Sequence, residues 1–334
     1  MLNNFRDHLQ NNPLPSRKRQ GASEKTIQGY VQDVSIFLRW WQGAFGNDLS
    51  IETLGTDPYL LNRKTIQDFL SWLQTTRGYA ASTVLRYASS LTAFTCWLQE
   101  TSILPHDPML GLRLPVAKLS EPRGLTDSQR ARFEAVFQTP WEDKTTRRKR
   151  TYPTLAAARL ARDKAIVFLM LYAGPRVEEV EHLILTDIEI RPRSGMMRIS
   201  QGKGFRERNV PLPKVARDAL EAWLKVRAEM PIEHGALFTE LRGPHYRRLS
   251  VRSMQNIICE AGQRAGLDRL DPPVTVTPHI LRHTYAYMLR QAGVSLEVRA
   301  EMSGHAVQTA MRYGRPKTRE KELAAEELDK MVAG

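Results

Sequence analysis

The chemically richest part of the chain is His279-Ile280-Leu281-Arg282-His283, followed by Gly304-His305 and then by Tyr313. Two residues of matching type lie upstream: Arg176 in Ala173-Gly174-Pro175-Arg176-Val177-Glu178-Glu179, and Lys203 in Gln201-Gly202-Lys203-Gly204. A guanidinium offers two parallel hydrogen bonds to phosphate oxygens, which lysine cannot do. Histidine and lysine carry protons to and from a reacting group. A tyrosine hydroxyl, with a pKa of about 10, becomes a nucleophile beside cations or a base. Arg176, Lys203, His279, Arg282, His305 and Tyr313 together suit in-line attack on a phosphodiester without a metal.

Such a set works only if the chain folds its parts together. Arg176 follows a strongly apolar stretch, Leu155–Tyr172, that reads as a buried helix, and it sits at a turn made by Gly174-Pro175. Glu179 is three residues on, on the same helical face, and can hold that guanidinium. Lys203 falls between strand-like segments: Asp187-Ile188-Glu189-Ile190, Met197-Arg198-Ile199 and Arg208-Asn209-Val210 alternate as a small sheet. Cations around Lys203, Arg206 and Arg208 among them, depress its pKa and suit it to protonate a departing 5′-oxygen. His279 begins a helix with Ile280, Leu281 and Tyr285 inward and Gly293 at its end. His279, Arg282 and His283 then share one face near a helix N-terminus, where the dipole favours an anion. A short helix from about Ser295 delivers Gly304-His305, and Tyr313 lies on the next. Tyr285 and Tyr287 are rival nucleophiles. A zinc site on His279 and His283 is a weaker alternative, because the HExxH glutamate is replaced by Ile280 and Arg282 would repel a dication.

At 334 residues the chain can hold two domains, and 42% apolar with 25% charged residues is ordinary for a globular protein. No run of about 18 or more apolar residues occurs, and the N-terminus lacks a signal-peptide layout. The two cysteines, Cys96 and Cys259, are far apart, which fits a reducing cytoplasm and excludes a Cys-based zinc site. A formal charge of +13 favours polyanions, nucleic acid first. The excess is uneven: residues 1–120 hold 12 Lys+Arg against 9 Asp+Glu, and the remainder holds 37 against 27.

Residues 1–22, broken by Pro13 and Pro15, read as a flexible arm. A helical domain follows over 23–112. Ser23 caps a helix whose buried face runs through Ile27, Val34, Phe37 and Trp41; a second covers Arg63–Thr76; a third starts at Ser82 and runs to Leu98. Prolines 105, 108, 115 and 122 mark a linker over 113–123. The remaining part, 124–334, opens with a helix capped by Thr126 or Asp127 and running to about Phe137. It carries a basic interval over 141–158 and ends in an amphipathic tail over 319–331.

In order and spacing the blocks resemble the tyrosine recombinase (phage integrase, Xer-like) family. That family reads roughly Gly-Leu-Arg-x-Ser-Glu around its first arginine; here Pro175 and Glu178 depart, while Arg176 and Glu179 stand where expected. Gly202-Lys203-Gly204 matches the family's Gly-Lys-Gly hairpin. Ser303 stands where leucine is usual, and His305 to Tyr313 is one residue shorter than in most relatives. Ser23, Thr26, Tyr30, Phe37 and Trp40 resemble the preceding core-binding domain. The resemblance implies a mainly α fold with a small β-sheet: a helical SAM-like core-binding domain and an α+β catalytic domain. It also implies roles. Tyr313 attacks the scissile phosphate; Arg176, Arg282 and His305 stabilise its charge; Lys203 is the general acid and His279 the base or shuttle, with His283 bracing the helix. No cofactor is implied. Partners would be a double-stranded DNA recombination site and a homotetramer on two sites, with the domains as a C-shaped clamp, the tail docked on a neighbour and accessory proteins as further candidates. Location would be cytoplasmic, at the nucleoid, with no membrane contact. A type IB topoisomerase-like or telomere-resolving enzyme, and a non-catalytic DNA-binding descendant, are the alternatives.

Overall fold

The structure is a computed structural model that describes residues 1–12, 23–116, 124–138, 153–200, 207–241 and 246–304. The chain divides into two compact units, Met1–Ser120 and Glu121–Gly334, and each has its own apolar core.

The described part of the first unit is helical: α1 (Leu2–Asn11), α2 (Glu24–Phe45), α3 (Ile51–Thr56), α4 (Arg63–Thr75) and α5 (Ala81–Glu100). Ser23 caps α2 by accepting from the Thr26 amide, and Ile27, Val34, Phe37 and Trp41 are buried on one face. Two expectations need correction. Residues Leu2–Asn11 are not a loose arm but a helix that sends Phe5 and Leu9 into the core, with the Phe5 ring edge-on to Phe94; residues 13–22 lie outside the described residues. Ser82 does not cap α5, which begins one residue earlier behind Ala80 and has no side-chain cap.

In the second unit, α6 (Asp127–Ala135) is capped by Thr126, which pairs reciprocally with Gln129. The central helix, α7 (Pro153–Ala173), begins inside the interval read as a basic loop; residues 139–152 lie outside the described residues. Ile166, Val167, Leu169, Met170 and Leu171 of α7 are fully buried. The second half of α7, residues 165–173, is apolar around its whole girth and so belongs in a core, and α7 packs against α9 (Lys214–Ala228) and α11 (Pro278–Gln291). Between them come α8 (Val177–His182) and an antiparallel sheet in the order β1 (Ile188–Ile190), β2 (Gly195–Ile199), β3 (Arg208–Pro211). Its register pairs Ile199 with Arg208. The strands match the three alternating segments read from sequence. α10 (Val251–Arg264) and α12 (Leu296–Ser303) complete the described helices. No described helix is long and apolar enough to cross a membrane.

Candidate active site

Arg176 is placed by the end of α7. Gly174 turns the chain with a φ of +65°, and a Cβ there would lie 2.1 Å from the Tyr285 ring, so both conformation and packing require glycine. Pro175 is buried and Arg176 becomes the N-cap of α8. Its amide donates to Glu179 Oε2 at 2.7 Å and its Nη1 to Glu179 Oε1 at 2.9 Å. Glu179 thus holds the guanidinium, as the spacing suggested. The Arg176 side chain is 35% exposed and Glu179 is sealed beneath it.

Arg282 comes from the second turn of α11. Thr277 caps that helix by accepting from the Ile280 amide, and Pro278 occupies its first turn. Arg282 is buried. Its Nη1 donates to the Gly174 carbonyl at 2.5 Å, and its Nη2 donates to the Ser303 carbonyl. One guanidinium therefore ties the turn that carries Arg176 to the end of α12. His279 is exposed, His283 half-buried, and their rings meet edge-to-face with centroids 4.1 Å apart. No group of three or more His, Cys, Asp or Glu side chains that could hold a metal occurs among the described residues.

The end of α12 collects three arginines from three elements. Arg208 of β3 donates through Nε to the Met302 carbonyl at 3.3 Å, Arg282 reaches Ser303, and Arg176 donates through Nη2 to the Gly304 carbonyl at 2.9 Å. The last carbonyls of a helix have no intrahelical partner and carry its negative end, so cations there satisfy both needs. Gly304 closes the helix in the left-handed region, and a Cβ there would come within 2.7 Å of the Arg208 guanidinium.

Arg208 is the functional candidate that sequence reading misjudged, having been grouped with Arg206 as a cation beside Lys203. It is buried and grips Glu179 with two bonds, Nη1 to Oε1 at 3.0 Å and Nη2 to Oε2 at 2.8 Å. Its signal was present: Arg208 and Val210 share the inward phase of β3, and a buried arginine requires a buried acid. Burial alone would raise the Glu179 pKa, but the bonds and charge of Arg208, then those of Arg176, hold its carboxyl below the usual range.

The structure brings together Arg176, Arg282 and the helix turn bearing His279 and His283. Lys203, His305 and Tyr313 lie outside the described residues, as does the tail over 319–331. Of the rival tyrosines, Tyr285 is buried against Gly174, its hydroxyl has no hydrogen-bond partner among the described residues, and burial pushes its pKa up to about 12 despite Arg208 and Arg282. Its burial and the upward direction of its pKa count against it as a nucleophile. Tyr287 is exposed on the same helix.

Comparison with known proteins shows what the chain is similar to. The phage integrase family profile matches residues 149–320, and the profile of the phage integrase N-terminal SAM-like domain matches residues 2–103. A tyrosine recombinase XerC of Corynebacterium efficiens is 30% identical over 296 residues, covering 88% of this chain and 81% of its own. A tyrosine recombinase XerD of Xanthomonas axonopodis pv. citri is 29% identical over 297 residues, covering 86% and 85%. Among solved structures, the Tn1549 transposon integrase in complex with a circular intermediate DNA superposes with a TM-score of 0.69 at 14% identity over 98% of each chain. The XerH site-specific recombinase bound to its palindromic difH substrate gives 0.63 at 16%, over 98% of this chain and 95% of that one. At those identities the likeness speaks for the fold.

Proposed function

The chain belongs to the phage integrase family, the tyrosine recombinases, and from that premise we propose how it cleaves and rejoins duplex DNA at a specific site. The Tyr313 hydroxyl oxygen attacks the scissile phosphorus in line, the bond to the 5′-oxygen breaks, and a 3′-phosphotyrosyl bond forms. Lys203 gives the departing oxygen its proton, leaving a free 5′-hydroxyl, and His279 takes or relays the proton of Tyr313. Arg176, Arg282 and His305 bear the charge that develops on the phosphate oxygens, the electrostatic contribution that dominates such reactions. Rejoining reverses the step: a 5′-hydroxyl from the partner duplex attacks the phosphotyrosine and tyrosine leaves. The phosphodiester energy is conserved, so neither ATP nor another cofactor enters the balance. Four protomers act on two DNA sites through a Holliday junction, in the cytoplasm where the nucleoid lies.

The observation that carries this reading is the convergence of Arg176 and Arg282 on the Ser303 and Gly304 carbonyls, directly before His305. Two cations remote in sequence are locked on the two carbonyls that precede, in the chain, the residue that the family pattern makes their partner. The test is recombination between two labelled duplexes, each carrying DNA that flanks the protein's own gene, in EDTA and without ATP. Recombinant joints from the wild type, lost in Arg176→Ala and Arg282→Ala, support the proposal. Relaxation of a supercoiled plasmid carrying the same DNA, with no exchange of partners between the duplexes, would make the chain a topoisomerase instead, and tight binding with no strand breakage would make it a binding protein.

A further inference from the structure

We infer that Arg208 is a positioning residue of this site: it sets Arg176 through Glu179 and fixes the end of α12 through the Met302 carbonyl. The inference rests on the recombinase reading above and goes beyond it, because Arg208 is not among the residues that touch the phosphate there.

Every donor group of Arg208 has a bond. Two run in parallel to the two oxygens of Glu179, at 3.0 and 2.8 Å, and Nε reaches Met302 O at 3.3 Å. Glu179 uses the same two oxygens to hold the Arg176 amide and Nη1. The carboxylate is therefore shared: Arg208 grips it from the sheet side and Arg176 takes its orientation from it. The Arg208 guanidinium lies against Gly304 so closely that a Cβ there would strike it. Strand β3, which follows the connection containing Lys203, is thereby joined to the Arg176 turn and to Met302 near the end of α12. Buried as it is, Arg208 acts on the phosphate only through these neighbours.

Arg208→Lys keeps a cation but cannot make two parallel bonds to a carboxylate together with a third to a carbonyl. Misplacement by about 1 Å costs about 100-fold in rate. The experiment compares wild type, Arg208→Lys and Glu179→Gln on nicked duplexes, measuring single-turnover cleavage, DNA affinity in a Tyr313→Phe background, and melting temperature. For Arg208→Lys the expected result is cleavage slowed about 100-fold, with affinity within about threefold of its parent. Glu179→Gln removes the charge and turns one accepting oxygen into an NH2 donor facing arginine N–H groups, and should show the same split, at least as large. Should Arg208→Lys fail to fold, Glu179→Gln decides alone. Wild-type cleavage rates in the folded variants would overturn the inference, as would affinity falling in step with rate. Absence of cleavage by the wild type on these duplexes would count against the recombinase reading instead, so the two failures are distinguishable.

Discussion

Glu179 carries its negative charge where burial alone would press a proton onto it, and only the two arginines around it reverse that preference. A carboxylate whose folded pKa lies below its ordinary 4.5 contributes stability that is fully present above that value. The contribution is lost as pH falls through the lower, folded value. The difference in unfolding free energy between wild type and Glu179→Gln should therefore be constant from about pH 7 to about pH 5 and shrink below about 4.5. Urea titrations across that range test it; a difference that grows on acidification would contradict the pairing. Breaking such a buried pair by removing one partner costs about 3–5 kcal/mol, so Glu179→Ala should be the more damaging change. Only half of this pairing was visible around Arg176. The i, i+3 spacing exposed the Arg176–Glu179 contact, which is local, whereas Arg208 is 29 residues further along and meets Glu179 only because the sheet folds back.

At the level of elements, α11 and α12 do the placing. α11 is held at its start by Thr277 and Pro278, so the turn bearing His279 and Arg282 depends on one hydroxyl. Thr277→Ala should lower stability by about 1 kcal/mol while Thr277→Ser retains most of it; thermal melts of the two variants check this, and equal losses would remove the cap from the argument. These helices, and the three strands, were legible because their periodicity and caps are local signals: Ser23 caps where its type suggested, Thr126 is the cap of the Thr126–Asp127 pair, and α12 starts beside Ser295. α1 was not, because in a polar segment broken soon after by prolines only Phe5 and Leu9 point inward. Their burial is repaid by α2 and α5, which are distant in sequence. Ser82 misled for the opposite reason. Its type suits a cap, but the helix already includes it.

The whole molecule divides its labour between two cores. The unit from Glu121 onward holds the paired arginines and also most of the charge, 37 Lys+Arg against 27 Asp+Glu, compared with 12 against 9 before it. Sequence composition displayed that asymmetry. Which arginines face a ligand and which serve the fold could not be read from charge counts, since Arg162 and Arg208 are both buried in pairs with acids. A basic protein that neutralises six to ten phosphates loses about 10³–10⁵ in affinity between 50 and 200 mM salt. Binding of the full chain to its duplex should fall by about 10³ or more over that range. Equilibrium titrations at several salt concentrations measure the slope, and a shallow one would mean that few phosphates are contacted.

Covalent chemistry at Tyr313 is read directly by trapping on nicked suicide duplexes with EDTA present, comparing wild type with Tyr313→Phe. The result predicted is a denaturation-resistant protein–DNA adduct that forms with the wild type and is absent with the variant. An adduct of equal yield from Tyr313→Phe would contradict it and move the nucleophile elsewhere.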